Sequence, residues 1–379
     1  MSQRISGWKD KILFTPGPLT TSQTVKQALL RDLGSRDHEF ITRVSDIRQR
    51  LLDVGQVSAD TYVAIPMQGS GTFSIEAVFA STIRPDGKVL LVINGAYGQR
   101  MATMCTMLGI ATTCLVFPEN EVPDLVAIRA ALESDDSITD VATVHCETTT
   151  GIINPVAAIG ALAKEFKTSY FVDAMSSFGA VPLHLADAKI DYLVSSANKC
   201  IEGVPGFGFV IARRNALEET EGWARSLSLD LLSQWRGLES NGQFRFTPPT
   251  HALLAFHQAL LELEQEGGVA GRGARYEGNY RTLVDGMARL GFTEYLERDL
   301  QGYIITSFHY PNHPQWDFAT FYDRLNARDY VIYPGKVSNA DCFRIGNIGR
   351  IFIADVKALL AAIAEVLEEM GVTLQPKQP

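Results

Sequence analysis

Two stretches decide the fold: SYFVDAMSS at residues 169–177 and DYLVSSANKCIEGVPGFGFVIA at residues 191–212. Each opens on a short run rich in apolar and β-branched residues and then turns small and polar; the second closes on another such run, FGFVIA. Runs this apolar at nearly every position suit strands buried on both faces, as in a parallel sheet covered by helices. Working outward, TYVAI, KVLLVIN, ATTCLVF and VATVHC repeat the pattern from about Thr61, with helical candidates between most of them. The alternation predicts an α/β fold with a mainly parallel sheet. Ligands in such sheets bind beyond the carboxyl ends of the strands. The chemically distinctive residues fall there: QGSGT after the first run, ETTTG after VATVHC, Asp173 in SYFVDAMSS and Lys199 after DYLVSS.

Beyond Glu221 the texture becomes helical, and LLAFHQALLELEQEGG ends in a glycine pair suited to a helix C-terminus. From about Leu290, GYIITSFHY, YVIYPG and CFRIGN read as strands flanked by FATFYDRLN and a final helix, VKALLAAIAEVLEEM. The expected division is a large domain at 1–255, including the N-terminal segment, and a smaller α+β domain at 256–379.

The 379 residues, 46% hydrophobic, suffice for a large core and an enclosed site. A net charge of −9 argues against a general nucleic-acid binder, which needs concentrated Lys and Arg. The opening MSQRISGWKD lacks an apolar leader, and no run approaches the ~18 apolar residues of a membrane span; a soluble, cytoplasmic protein is expected. Cys105, Cys114, Cys146, Cys200 and Cys342 are odd in number, scattered and free of CxxC pairs, so reduced thiols are expected. Cys146 follows His145, but strand neighbours face opposite ways. His145, His184, His251 and His257 show no metal-ligand spacing, and no metal is expected.

In QGSGTFSIEA, the small residues Gly69, Ser70, Gly71 and Thr72 lead from a strand into a helix beginning near Thr72. Backbone N–H groups and the helix dipole there favour an anion such as phosphate; a plain glycine-rich turn with a Thr cap is the bland alternative. The segment lacks the GK[ST] ending and the GxGxxG spacing of nucleotide fingerprints. Asp173 emerges at the end of a buried strand, either capping a turn or pairing with a protonated ring nitrogen. Lys199 lies in an apolar, glycine-rich setting that can lower its pKa and free a neutral amine for Schiff-base formation. It follows Asp173 by 26 residues with one strand candidate between, which brings both to one sheet edge. Arg344 is the charged residue of CFRIGN, suited either to a salt bridge, with Asp341 as the candidate partner, or to bidentate binding of a carboxylate or phosphonate.

In order along the chain, QGSGTFSIEA, NGAYGQR, HCETTTGIINP, VDAMSSFGA, SSANKCIEGVPGFGFV and FRIGNIG resemble the class V aminotransferases of the type I pyridoxal-phosphate fold. The likeness implies pyridoxal 5'-phosphate as cofactor, with Lys199 as its Schiff-base lysine and Asp173 as the partner of its pyridinium nitrogen. It places Ser70, Gly71, Thr72 and Asn198 around the cofactor phosphate, Tyr97 on the pyridine face and Thr148 at the ring hydroxyl. Thr247 matches a residue lent by a neighbouring subunit, which implies a homodimer with shared active sites. Arg344 matches the arginine that grips the substrate's acidic group, and the Thr15 to Leu19 segment, with Gly17, matches a loop lining the substrate pocket. Tyr97 stands where related alanine/glyoxylate enzymes carry Trp. FTPGPLTTSQTVKQAL, ETTTGIINP, VDAMSSFG and ANKCIEGVPGFGF are together similar to the branch using 2-aminoethylphosphonate as donor and pyruvate as acceptor. Another class V donor, a lyase of the cysteine-desulfurase type with a mobile Cys, and a non-enzymatic phosphate-binding protein remain alternatives.

Overall fold

The computed structural model describes residues 10–335, 337 and 340–376; residues 1–9, most of the opening stretch read above, lie outside it. Seven strands form the principal sheet: β1 (Tyr62–Gln68), β2 (Lys88–Ile93), β3 (Ala111–Val116), β4 (Asp140–Val144), β5 (Ser169–Asp173), β6 (Tyr192–Ser196) and β7 (Phe207–Arg213). These are the seven runs singled out in the sequence. Their spatial order is β1-β7-β6-β5-β4-β2-β3. Neighbours pair in parallel except at β7, which runs antiparallel to both β1 and β6. The central strands are buried at every position, because crossover helices cover the faces. β3, at an edge, alternates toward solvent instead.

The register Val144↔Asp173↔Val194 aligns the carboxyl ends of β4, β5 and β6. The loops that follow β1, β2, β4, β5 and β6 therefore emerge along one edge, which the antiparallel β7 enters from the far side of Gly206.

A second sheet pairs Cys342–Gly346 with Ile305–His309 on one side and Tyr333–Pro334 on the other. It packs with the helices Phe318–Ala327 and Ile353–Met370 around Phe308, Phe321, Phe343 and Leu359. YVIYPG, read as one strand, is two: Tyr330–Val331 pairs in parallel with Ile12–Leu13, and only after Ile332 does Tyr333–Pro334 join the second sheet. The N-terminal segment thereby reaches the second core, where Phe14 is buried. The expected divide at 255/256 falls inside the helix Thr250–Gln265, whose Leu260 and Leu263 belong to the first core. The next helix, Gly268–Arg289, delivers Leu283 and Met287 to the second. Among the described residues no helix is long and apolar enough to cross a membrane.

Candidate active site

Asp173 ends β5 and is 1% exposed. One carboxylate oxygen accepts from the Met175 N–H at 2.9 Å, so the turn-capping role foreseen for it is real. Burial pushes its pKa up to about 7; the Met175 bond opposes this, Glu147 adds to it, and Lys199 and Arg100 pull it back. Lys199 stands in the turn after β6. Its Nζ donates to the Pro16 carbonyl at 2.7 Å, and among the described residues no carboxylate lies within salt-bridge reach of it. Burial lowers its pKa, against the pull of Tyr97, Cys200, Asp173 and Cys146. The Thr15–Leu19 segment lies directly over this amine. Gly17, at φ +118°, comes so close that a Cβ there would stand 2.7 Å from Lys199 Cδ and 2.9 Å from Nζ. Thr15 is buried, with its hydroxyl donating to the Pro18 carbonyl.

The turn after β1 opens at Gly69, φ +108°, and Ser70 N-caps the helix Gly71–Thr82 without its side chain making a cap bond. Helical geometry leaves the N–H groups of the first turn without intrahelical acceptors. Gly71 is essential to the local packing: a Cβ would stand 2.1 Å from the Met175 sulfur and 3.2 Å from Ser196 Cβ. The turn thus sits against the loop that follows Asp173. Thr72 Oγ1 accepts from Arg100 at 3.3 Å, and Ser196 donates to the Asn198 side chain at 2.8 Å.

Tyr97 lies in the first turn of the helix Ala96–Met107, with the Arg100 guanidinium 4.8 Å from its ring centroid. That helix is capped from a distance by Glu147, fully buried, which accepts weakly from the N–H groups of Tyr97 and Gly98 and strongly from the Thr149 hydroxyl. Burial raises the Glu147 pKa, and these donors oppose the rise. Gly95 permits the contact, since a Cβ would lie 2.3 Å from Glu147 Cγ.

Arg344 comes to this edge from the second sheet. It is 2% exposed, donates to the Thr148 carbonyl at 2.7 Å and the Pro334 carbonyl at 3.0 Å, and lies 5.1 Å from the Tyr333 ring centroid. Tyr97 also hydrogen-bonds it, and burial lowers its pKa. The salt bridge with Asp341 does not form: among the described residues no carboxylate is within ion-pair distance of Arg344. A desolvated guanidinium held by two carbonyls and Tyr97, with no carboxylate to neutralise it among the described residues, is prepared to receive an anion.

Lys199, Asp173, Tyr97, Thr148, Arg344 and the Gly17 loop are thus linked by direct contacts or shared electrostatics, and the Ser70–Thr72 turn joins them through Met175 and Arg100. Thr247 stands apart. It is exposed, and its carbonyl accepts from the Gln68 side chain at the mouth of the turn. Glu147, Arg100 and the Pro16 carbonyl escaped the sequence reading; only the buried position of ETTTG after a core strand and the glycine at 95 hinted at the first. Four thiols, Cys105, Cys146, Cys200 and Cys342, are pushed up by burial, and Cys114 lies on the edge strand β3. Among the described residues no metal-binding cluster occurs.

An α/β sheet with this order, and with a lysine amine and a buried carboxylate at its carboxyl edge, has the type I aminotransferase fold. Alanine–glyoxylate aminotransferase from Nostoc superposes with a TM-score of 0.88 at 26% identity, covering 97% of this chain and 98% of its own. Pyridoxamine–pyruvate aminotransferase from Mesorhizobium loti gives 0.88 at 25% identity, covering 97% and 94%. The chain belongs to the aminotransferase class-V family, whose profile matches residues 10–328. It is 54% identical over 359 residues, 94% of this chain and 97% of the relative, to 2-aminoethylphosphonate–pyruvate transaminase of Klebsiella pneumoniae. It is 52% identical over 357 residues, again 94% and 97%, to the transaminase of that name from Salmonella typhimurium.

Proposed function

We propose that this chain is a pyridoxal-phosphate-dependent transaminase that moves the amino group of 2-aminoethylphosphonate to pyruvate, giving phosphonoacetaldehyde and L-alanine. The observation that carries it is the pairing of the half-buried Lys199 with the buried Arg344 at the same sheet edge, neither of them within ion-pair reach of a carboxylate among the described residues. The identity of more than half to transaminases named for these substrates supports the choice of donor and acceptor.

The residues fit the cofactor. Asp173, a buried carboxylate with its pKa pushed up, suits a cationic ring nitrogen, which would restore its charged form. The Gly71 turn offers open N–H groups to a phosphate, with Ser70, Thr72 and Asn198 beside it, and a Cβ at 71 would disturb the cradle. Tyr97 would lie on the ring, and Thr148 would meet its hydroxyl. When bound, pyridoxal phosphate supplies an electron sink for the bond broken at the donor carbon. Lys199, its pKa lowered by burial, is the group placed to remove a proton from the carbon bearing nitrogen and to return one later. Arg344 grips the phosphonate of the donor and then the carboxylate of pyruvate, and the Thr15–Gly17 loop shields the amine from water. Net amino transfer proceeds in two half-reactions.

The exposed Thr247, beside Gln68 and the half-exposed Phe246, supports a homodimer in which this segment reaches a neighbour's phosphate site. The free cysteines accord with a cytoplasmic setting. The test follows the visible absorbance of the cofactor-loaded protein as 2-aminoethylphosphonate and then pyruvate is added, with alanine assayed afterwards. Loss of the band, its return, and alanine release are expected. A band indifferent to the phosphonate but bleached by serine or alanine overturns the donor; absence of any band overturns the cofactor.

A further inference from the structure

Behind Lys199 lies a buried ionic cluster that the reaction described above does not use. Glu202, 2% exposed, closes the lysine turn: its N–H donates to the Lys199 carbonyl at 2.7 Å, and it holds a left-handed backbone, φ +67°, that residues other than glycine rarely adopt. Its Oε1 accepts from Arg275 at 2.7 Å and from the Tyr276 hydroxyl at 2.6 Å. Arg272, fully buried, donates to the Cys200 carbonyl at 2.5 Å, one residue past the lysine. Both arginines share Glu266, at 2.6 and 2.5 Å.

The other side of the cluster holds the segment that follows Arg344. Arg275 donates to the carbonyls of Gly349 at 2.5 Å and Ile351 at 3.1 Å, and the Tyr276 hydroxyl accepts from the Gly349 N–H at 3.1 Å. One set of side chains on the helix Gly268–Arg289 thus clasps the turn carrying the amine and the loop that leaves the strand carrying Arg344. Buried ion clusters are seldom more stable than apolar packing of equal volume, and strained backbone persists where a position is functionally fixed. A structural filler would need neither.

We propose that Glu202, clasped by Arg275 and Tyr276, is a positioning residue that sets Lys199 relative to Arg344, fixing the spacing available to a substrate with an amine at one end and an anion at the other. The proposal rests on Lys199 and Arg344 having the roles given above. Lys199 is faced by Tyr97, Asp173, Cys146 and Cys200, and the cluster adds Glu202, Glu266 and two arginines behind it. Glu202→Gln leaves the arginines opposed by Glu266 alone, so excess positive charge should disfavour the protonated form of the group at Lys199.

The test compares Glu202→Gln with the parent protein, both loaded with cofactor. The pH midpoint of the visible absorbance of the lysine-linked cofactor should fall by about half a unit or more. The kcat should drop about tenfold or more, while KM for pyruvate changes less than about threefold. Adding Arg272→Gln, which restores charge balance, should return the midpoint toward the parent value. A Glu202→Gln protein with lowered Tm but parental midpoint and kcat refutes the proposal and leaves Glu202 purely structural. If that variant does not fold, Arg275→Lys, which keeps the charge but cannot span Glu202 and Gly349 together, must lower kcat at near-parental midpoint or the proposal fails. A parent protein with no lysine-linked absorbance refutes the assignment of Lys199 instead.

Discussion

Replacing Arg344 with methionine should separate recognition from stability. Its guanidinium is buried against two carbonyl acceptors and Tyr97, with no carboxylate in ion-pair reach among the described residues. Replacing a buried ion pair by apolar packing of similar volume is often neutral or stabilising by about 1–4 kcal/mol, and exchanging one buried guanidinium for an apolar chain of similar length removes a desolvation cost of the same kind. Against this, the Thr148 carbonyl loses its donor, at a cost of about 1–3 kcal/mol, whereas Pro334 is exposed and water can replace the lost bond. The terms oppose and are of similar size, so the net change should lie within about 2 kcal/mol of zero, a Tm shift of a few degrees. Substrate binding has no such offset. Truncating one side of a desolvated charge pair costs about 2–5 kcal/mol, which is about 30- to 4000-fold in kcat/KM. The assay is kcat/KM for 2-aminoethylphosphonate and for pyruvate beside a thermal melt of the same preparation. A kcat/KM within about fivefold of the parent refutes the anion-gripping role; a collapse of the melt together with activity refutes the energetic reasoning.

Lys199→Ala should abolish turnover, with less than about one part in 1000 remaining, while equilibrium dialysis still detects bound cofactor; near-normal turnover contradicts the role of the lysine. Gly71→Ala drives a Cβ to 2.1 Å from the Met175 sulfur, so cofactor affinity should fall about tenfold or more, and Met175→Ala in the same chain should restore most of it; no effect of the first change would remove the cradle argument. Asp140 begins β4, at the opposite end of the sheet from the site, and burial pushes its pKa up to about 7. The folded state therefore binds its proton more tightly than the unfolded chain, and the stability this contributes is present below about pH 4 and lost as pH rises to about 7. Asp140→Asn should escape that loss, melting higher than the parent by a margin that grows over that window and then levels, with kcat unchanged; a margin independent of pH contradicts it.

The seven strands of the main sheet were legible because strands buried on both faces carry the signal at every residue, as in YLVSS and DVATV. The placement of Lys199 and Asp173 at one sheet edge was legible for a related reason, since ionisable groups within or just beyond such runs stand out. Other features have no local signature. The helix Thr250–Gln265 announces an apolar face but not which core receives it, and so the boundary drawn at 255/256 cut through it. Tyr330–Val331 and Tyr333–Pro334 are two residues each, too short for periodicity to separate. Glu147 caps a helix some 50 residues earlier in the chain, a contact made only by the return of β4 beside β2. The glycine-rich turn reads in sequence either as an anion site or as a plain capped turn, and neither reading tells that Ser70 would leave its own cap unmade.

Amine and guanidinium belong to different cores, and this explains why so many unforeseen contacts concern their relative placement. Lys199 follows a strand of the large sheet, Arg344 lies within the small one, and neither sheet alone fixes the distance between them. The N-terminal segment spans the gap from the front: Phe14 is buried in the second core and accepts from the Gly346 N–H at 2.9 Å, while Pro16 two residues on accepts from Lys199. The helix Gly268–Arg289 spans it from behind through Arg275 and Tyr276. Side chains packed between two cores are sensitive to sub-ångström shifts because close-packed interiors do not deform continuously. On the proposed reading, a substrate with charge at both ends experiences that spacing directly, and selectivity would then reside as much in these two straps as in the residues that touch the substrate.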